Sequence, residues 1–471
     1  MNKFDTQTTP ALPETDLPAT DFLREVVKTA GDGLIERDEP VRLLVLAALA
    51  GEHLLLIGPP GTAKSELAKR LHKLIGGRYF ERLLTRFSVP EELFGPLSLA
   101  ALDEGRYERD IAGYLPHASI AFLDEVFKAN SAILNALLTL LNEREFDQGP
   151  VRIDVPLVCL VAASNEVPDD ETLRAFEDRF LLRCLVAPVS DDHFAALLAV
   201  SQSEAGASVS LTEAHLAAVR QACQRVACPP EVMQHLTGLR ISLREIGVQI
   251  SDRRWVRAVH MLKVSAITSE RAAIDIDDLW LLKALVGESQ EHACHIEDWF
   301  CDLLGAQLPL KPTWAARVVE AFEHQYTQEE SATELAFDDS GKLAVMRSKT
   351  GADDEMFESA APRMSAFSKS KRYSASHIAA RTEQIDQVLG EFSDYLEQAD
   401  QHRDNLRRRL ARNIFLPPAI SARLQSNLDQ TIQVMAEQQG LLKTLRAQYA
   451  ELPVTQTDDG VVPSPVDIAA D

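Results

Sequence analysis

Long apolar runs are absent from this sequence. The most apolar stretch near its start, residues 41–50 followed by 54–57, is interrupted by Gly51, Glu52 and His53. This pattern is typical of a helix and a strand rather than a membrane span. No secretory signal is recognisable. The six cysteines form no C-x-x-C pair and no spacing typical of a metal site. These absences predict a cytoplasmic protein with free, buried thiols.

Positive charge is scarce as well. The 471 residues include 48 Lys plus Arg against 71 Asp plus Glu, giving a formal net charge of −23 and a pI near 5.0. This balance argues against a broad basic surface and so against a nucleic-acid partner. A chain of this length can form about two to four domains. Residues 1–20 and 453–471 are expected to be disordered.

A phosphate-binding loop follows the first buried-strand pattern. Residues 54–57 are Leu-Leu-Leu-Ile, and after them come Gly58, Pro59, Pro60, Gly61, Thr62, Ala63, Lys64 and Ser65. A strand, a loop and a helix in this order direct backbone N–H groups at phosphate oxygens. We therefore predict that Lys64 reaches the β- and γ-phosphates of a nucleoside triphosphate and that Ser65 binds Mg²⁺. Because Ala63 replaces the second glycine of the general motif, we expect a loop conformation that alanine tolerates.

Two further apolar runs lead to polar residues that suit the same site. Residues 120–123 precede Asp124 and Glu125, and residues 155–163 are closely followed by Asn165. Parallel strands deliver such side chains at their carboxyl ends. We expect Asp124 to hold Mg²⁺, Glu125 to polarise the attacking water and Asn165 to orient that water. Solvated acids at an ordinary strand end, and a turn role for the asparagine, stay open as alternatives.

Arginines are candidates for stabilising the negative charge of a transferred phosphoryl group. Arg179, inside a predicted helix, is expected to face the nucleotide of a neighbouring subunit, with Arg183 as the reserve. A surface ion pair with Glu177 or Asp178 is the alternative for both. Arg253, at the start of a later predicted helix, could contact the γ-phosphate from a lid.

In this order, the motifs resemble those of the MoxR group of AAA+ ATPases and, within it, the RavA branch. MoxR proteins commonly carry alanine at the loop position of Ala63. Other matching segments are 85–96 (TRFSVPEELFGP), 104–109 (EGRYER), 113–116 (GYLP), 122–125 (FLDE), 134–138 (LNALL), 142–144 (NER), 162–165 (AASN) and 251–255 (SDRRW).

The resemblance implies both a fold and a mechanism. The fold is an α/β AAA+ core, in which helices flank a parallel sheet, followed by an all-helical lid. ATP and Mg²⁺ would bind at the interfaces of a homo-hexameric ring, with Arg179 as the finger in trans and Arg253 as sensor two. It also implies that residues 92–115 contain the extra hairpin insertion of this clade.

Hydrophobic periodicity divides the chain into segments. We predict a core at 21–190, a lid at 191–304, a helical domain at 305–330 and 378–452, and an insertion at 331–377. That insertion is predicted to hold one β-hairpin, 333–337 with 343–346, and a loop.

The predicted helical domain contains a helical hairpin. Its helices, 379–414 and the segment after Pro417-Pro418, could project as an arm or close against residues 314–326. Residues 407–409 are three arginines, expected on a solvated face, with partner docking as the alternative.

The leading hypothesis is a ring ATPase that remodels, activates or helps insert a cofactor into a client protein that the sequence does not name. The resemblance implies a von Willebrand factor A partner. In the RavA branch a compact β-rich module docks on an inducible lysine decarboxylase, but residues 331–377 offer only one hairpin and a loop, which argues against that client. A nucleotide-switched scaffold is the alternative, although the complete set of hydrolysis residues argues against it. Nucleic-acid remodelling is disfavoured by the acidic charge.

Overall fold

The computed structural model describes residues 17–149, 151–166, 171–199, 209–305, 312–331, 333–335, 368–370, 372–455 and 462–466. The chain divides into two compact units. The first comprises residues 1–304 and 406–424, and the second comprises 305–405 and 425–471.

A parallel sheet forms the centre of the first unit. Its strands and a separate hairpin are β1 (Leu54–Ile57), β2 (Tyr79–Leu83), β3 (Ile120–Asp124), β4 (Glu145–Gln148), β5 (Val151–Asp154), β6 (Cys159–Ser164) and β7 (Leu182–Leu185). The sheet has the order β2-β3-β6-β1-β7, and β4 pairs antiparallel with β5 outside it. Strands β1 and β6 are buried along their whole length, as expected where helices cover both faces of a parallel sheet.

Helices flank this sheet, and their apolar side chains form a hydrophobic core with those of the strands. They are α1 (Thr20–Gly31), α2 (Asp38–Ala50), α3 (Lys64–Ile75), α4 (Glu91–Phe94), α5 (Leu99–Asp103), α6 (Ser131–Glu143) and α7 (Glu171–Glu177). Leu137 and Leu140 of α6 lie in one apolar cluster with Leu123 and Leu160 of the sheet. The amphipathic spacing places these side chains on one face of α6. Burial of that apolar face against the sheet supplies the main driving force for packing.

The segment after the sheet is helical, as predicted for the lid. Its helices are α8 (Asp191–Ala199), α9 (Glu213–Ala222), α10 (Pro230–Glu245), α11 (Asp252–Thr268), α12 (Leu282–Val286) and α13 (Gln290–Gly305). The predicted fold class, a parallel sheet with flanking helices and an all-helical lid, is confirmed. Among the described helices, none combines the length and apolar character that crossing a membrane requires.

The second unit is mainly helical. It contains α14 (Pro312–Ser331), β8 (Thr333–Leu335), β9 (Ser368–Ser370), and most of α15 (Ala375–Arg412) and α16 (Pro418–Ala450). Val318 and Phe322 of α14 share an apolar cluster with Ile385, Leu442 and Tyr449. The helical hairpin therefore closes against α14, one of the two arrangements that the sequence left open.

The sequence gives specific expectations for two short segments. Strand β8 pairs antiparallel with β9, whereas the expected partner, residues 343–346, lies outside the described residues. Within 92–115 the described backbone has a single antiparallel bridge, Leu97 to Arg109, around helix α5. Ser98 begins that helix by accepting a hydrogen bond from the N–H of Ala101, so local capping favours a helical turn there.

The six cysteines are free. Four are buried, as expected, whereas Cys228 is half-buried and Cys294 is exposed.

The elbow between α15 and α16, residues 406–424, belongs to the first unit. Arg409 forms a two-pronged ion pair with buried Asp277, with Nη2–Oδ1 and Nε–Oδ2 distances of 2.9 and 3.2 Å. Asn413 donates to the Asp277 carbonyl at 3.0 Å. Arg409 is thus an ion-pair partner rather than part of a solvated face.

This ion pair predicts a pH-dependent stability. Burial raises the pKa of Asp277 to about 6, and Arg409 opposes that rise. Because the folded protein holds this proton more tightly than the unfolded chain, the contribution of Asp277 to stability falls as pH rises from about 4 to 6. Arg409→Gln should therefore cost about 2 kcal/mol at pH 8, where the carboxylate would be charged and unpaired, and much less at pH 5. Thermal unfolding at both pH values measures this.

The double variant Arg409→Gln, Asp277→Asn is the control. Because it lacks the titrating carboxyl of residue 277, its loss of stability should be the same at pH 5 and pH 8. An equal loss of stability for Arg409→Gln at pH 5 and pH 8 would contradict the prediction.

Candidate functional site

The phosphate loop lies between β1 and α3, at the carboxyl edge of the sheet. A Cβ atom at Gly58 would lie 2.1 Å from the carbonyl oxygen of Val186, so only glycine fits there. Gly61 has φ +81°, which favours glycine for conformational reasons. The loop is therefore held tightly at its start and turns sharply before the helix.

Ala63 adopts the left-handed conformation, with φ 67° and ψ 24°, immediately before α3. Glycine enters this region freely, whereas a residue with a Cβ atom pays roughly 1–2 kcal/mol. Alanine is tolerated at this position, but it is strained. The strain follows from the need to turn the chain into the helix at the phosphate site.

Lys64 is buried and aimed back into the loop. Its Nζ atom donates hydrogen bonds to the carbonyls of Gly58 and Pro59, at 2.6 and 2.9 Å. Burial lowers the pKa of Lys64, while the charges of Asp124 and Glu125 oppose that shift. A cation thus lies where phosphate oxygens would enter the loop.

Arg37 supports the same loop, although the sequence motifs did not predict a role for this residue. This buried guanidinium donates from Nε to the Thr62 carbonyl at 3.1 Å and from Nη2 to the Ala187 carbonyl at 2.9 Å. It thereby ties the phosphate loop to the segment after β7. No motif marks Arg37, because its role depends on tertiary contacts with two distant carbonyls.

The predicted acids and Asn165 meet beside the loop. Asp124 ends β3 and accepts a hydrogen bond from the N–H of Glu125 at 3.0 Å. Glu125 has φ 54°, and its Oε1 accepts a hydrogen bond from Nδ2 of Asn165 at 2.5 Å. Its other oxygen lies 3.3 Å from Nζ of Lys128. The glutamate carboxylate is therefore oriented from two sides.

The donor set next to the loop suits Mg²⁺. The Ser65 hydroxyl and the Asp124 carboxylate are hard oxygen donors, which Mg²⁺ prefers. In the part of the chain that the structure describes, no group of three His, Cys, Asp or Glu side chains could hold a metal. A Mg²⁺ ion at this site would therefore also need phosphate oxygens and water.

Arg179 lies at the opposite edge of the sheet. Helix α7 ends at Glu177, so Arg179 lies in the turn after it rather than inside a helix as predicted. The backbone N–H of Arg179 donates to the Phe176 carbonyl. This hydrogen bond closes a tight turn at the end of the helix. The next strand begins at Leu182, which pairs with Leu54 at the amino end of β1.

Arg183, the reserve candidate, is held in a buried pair. Its Nε lies 3.1 Å from Oε1 of Glu177, and both side chains are less than 10% exposed. The predicted alternative, an ion pair with Glu177, thus occurs for Arg183, but inside the protein rather than at its surface.

Arg253 lies near Arg179 and not near the phosphate loop of its own chain. It donates to Oδ1 of Asn142 at 2.9 Å. Burial lowers the pKa of Arg253, and the positive charges of Arg179 and Arg257 lower it further. Arg257 forms an ion pair with Glu52, which lies two residues before the start of β1 at Leu54. Three arginines therefore gather at the amino edge of the sheet, a surface suited to an anion.

Comparisons with known proteins find matches over the core and the lid of this chain. A family profile described as "MoxR domain in the MoxR-vWA-beta-propeller ternary systems" matches residues 21–223, and one described as "AAA lid domain" matches 231–300. Two uncharacterized proteins of Methanocaldococcus jannaschii are each 37% identical, over 262 and 263 residues. These alignments cover 55% and 56% of this chain and 69% and 70% of the relatives.

The chain belongs to the MoxR family of AAA+ ATPases. The chaperone MoxR1 of Mycobacterium tuberculosis is 27% identical over 154 residues, which span 32% of this chain and 40% of that protein. In this MoxR-family chain the first profile covers the phosphate loop, the two acids, Asn165 and Arg179, and the second covers Arg253.

The strain at Ala63 predicts opposite effects of two substitutions. Ala63→Gly should keep nucleotide binding and raise the unfolding free energy by up to about 1 kcal/mol, because glycine enters the left-handed region freely. Ala63→Val should lower stability and weaken ATP binding, because a β-branched residue is disfavoured at positive φ. Thermal shift with and without ATP measures both. Equal behaviour of the two variants would show that the loop is not strained at this position.

Proposed function

We propose that this protein hydrolyses ATP at sites shared between neighbouring copies of the chain. One observation carries the proposal: the phosphate loop and acids lie at the carboxyl edge of the sheet, whereas Arg179 and Arg253 lie at the amino edge. Phosphoryl transfer needs both sets of groups at one γ-phosphate. A second copy can supply the arginines that a single chain holds too far away.

Each group at the carboxyl edge has a chemical role in this proposal. Lys64 and the loop N–H groups bind the phosphates, and Ser65 and Asp124 would hold Mg²⁺, which when bound offsets phosphate charge. Glu125 polarises the attacking water, because its carboxylate is already oriented by Asn165. At the same phosphate, the guanidinium of Arg179 from the neighbouring copy stabilises the charge that develops during transfer.

A closed ring is the simplest assembly of this kind, because a head-to-tail contact between identical copies repeats until it closes. We propose a homo-hexamer on the basis of the family. We also propose four segments: core 21–190, lid 191–304, helical domain 305–330 and 378–452, and insertion 331–377. Within the helical domain, the elbow at 406–424 belongs to the first compact unit.

We propose that the ATPase acts on a client protein through a von Willebrand factor A partner. The description of the matched profile, which names MoxR-vWA-β-propeller ternary systems, supports this partner. Membership of the RavA branch, cytoplasmic localisation and cofactor insertion into the client stay predictions. A nucleotide-switched scaffold is disfavoured, because a scaffold has no need for an oriented Glu125.

Two substitutions separate binding from hydrolysis. Lys64→Ala should abolish ATP binding, because it removes the buried cation from the loop. Glu125→Gln should bind ATP normally but lower turnover by about 100-fold or more, since the amide is a much weaker base. Equilibrium binding and phosphate release measure the two effects. Brisk hydrolysis by Glu125→Gln would remove Glu125 as the base and favour another water-activating group.

The partner is tested by nucleotide-dependent capture. Immobilised Glu125→Gln protein, loaded with ATP or with ADP, is exposed to extract of the cells that make it, and the retained proteins are identified. We expect a von Willebrand factor A protein to be retained with ATP only. Lys64→Ala is the matched control and should retain it with neither nucleotide. Retention that is indifferent to nucleotide would support the scaffold instead.

A further inference from the structure

Arg254 lies on lid helix α11, beside Arg253, but its side chain turns into the protein. Only 3% of it is exposed. Its guanidinium donates to the carbonyls of Asp178, Phe180 and Leu181, at 3.4, 3.1 and 2.8 Å, and to the Asp178 carboxylate at 3.2 Å. A further bond goes to the carbonyl of Leu285 in the lid, at 2.5 Å.

These bonds surround Arg179 on both sides. Asp178 precedes it and Phe180 follows it, so Arg254 fixes the backbone of the turn that carries the proposed finger. Arg257, three residues further along the same helix, adds a contact between its Nη1 and the Arg179 carbonyl at 3.4 Å. The position of the finger is therefore set by the lid as well as by the core.

A guanidinium is well suited to this task. Its planar fork presents five donors in fixed directions, and here they bond three carbonyls of one turn, those of Asp178, Phe180 and Leu181. Lysine carries the same charge but cannot reach several divergent carbonyls at once. Arg254→Lys should therefore preserve charge while loosening the turn.

We propose that Arg254 is a positioning residue for the arginine finger: it fastens the turn of Arg179 to the lid, so that the lid of one copy controls hydrolysis in the neighbouring copy. This inference rests on the proposed shared site. It adds a direction of communication, from the lid of one subunit to the nucleotide of the next.

The experiment uses two full-length variants that are inactive alone. Glu125→Gln keeps its finger but cannot hydrolyse its own ATP, whereas Arg179→Ala keeps its own catalytic acids but lacks the finger. Mixed, they should recover ATP turnover at interfaces where the finger of the first meets the site of the second. The substitution Arg254→Lys is then introduced either into the Glu125→Gln chain or into the Arg179→Ala chain, and each mixture is measured separately.

The two placements should give different results. In the finger donor, Glu125→Gln, Arg254→Lys should lower the recovered turnover by about 10- to 100-fold, as expected for a displacement of about 1 Å. In the recipient, Arg179→Ala, it should change turnover less than twofold, because the finger of that chain is already absent. A general loss of lid stability would lower both equally.

Arg271→Lys is the matched control. Arg271 pairs with buried Asp278 within the lid, at 2.6 Å, away from the finger turn. Arg271→Lys should therefore change the recovered ATP turnover equally, whether the finger donor or the recipient carries it. Equal effects of Arg254→Lys in both placements, or no effect in the donor, would overturn the inference while leaving the shared site intact. Failure of the unmodified pair to recover turnover would instead contradict the proposed function.

Discussion

The polarity of a parallel sheet is the constraint on which this molecule depends. All strands of the main sheet point the same way, so groups that follow strands and groups that precede them are held apart. The phosphate loop follows β1, whereas Arg179 precedes β7, roughly 13 Å away along a four-residue strand. On the proposed account, a complete hydrolytic site requires a second copy for this geometric reason.

Buried and half-buried arginines join the parts of the first unit in a chain that is otherwise strongly acidic. Arg37 ties the phosphate loop to the segment after β7, Arg254 ties the lid to the finger turn, and Arg409 ties the elbow of α15 and α16 to the lid. Arginine suits these positions because it keeps its charge and satisfies several carbonyls when desolvated. Movement of the lid would thus reach the finger turn, at the amino edge of the sheet.

Much of the carboxyl edge could be predicted from the sequence, because each functional residue directly follows a short apolar run. Asp124, Glu125 and Asn165 meet for this reason. Local pattern could not place Arg253 beside Arg179, since that depends on how the lid packs on the core, nor could it show the left-handed backbone of Ala63, which is imposed by the turn into α3. The pairing of β8 with β9 could not be predicted either, because β9 lies more than thirty residues further along the chain.

The central claim is that a single copy cannot hydrolyse ATP efficiently. The most direct measurement is a dilution series of the wild-type protein in which ATP turnover per subunit and molecular mass are measured on the same samples. The account predicts that turnover per subunit falls in parallel with the loss of oligomer, while monomers still bind ATP. Isolated monomers that hydrolyse ATP as fast as the assembled protein would contradict it.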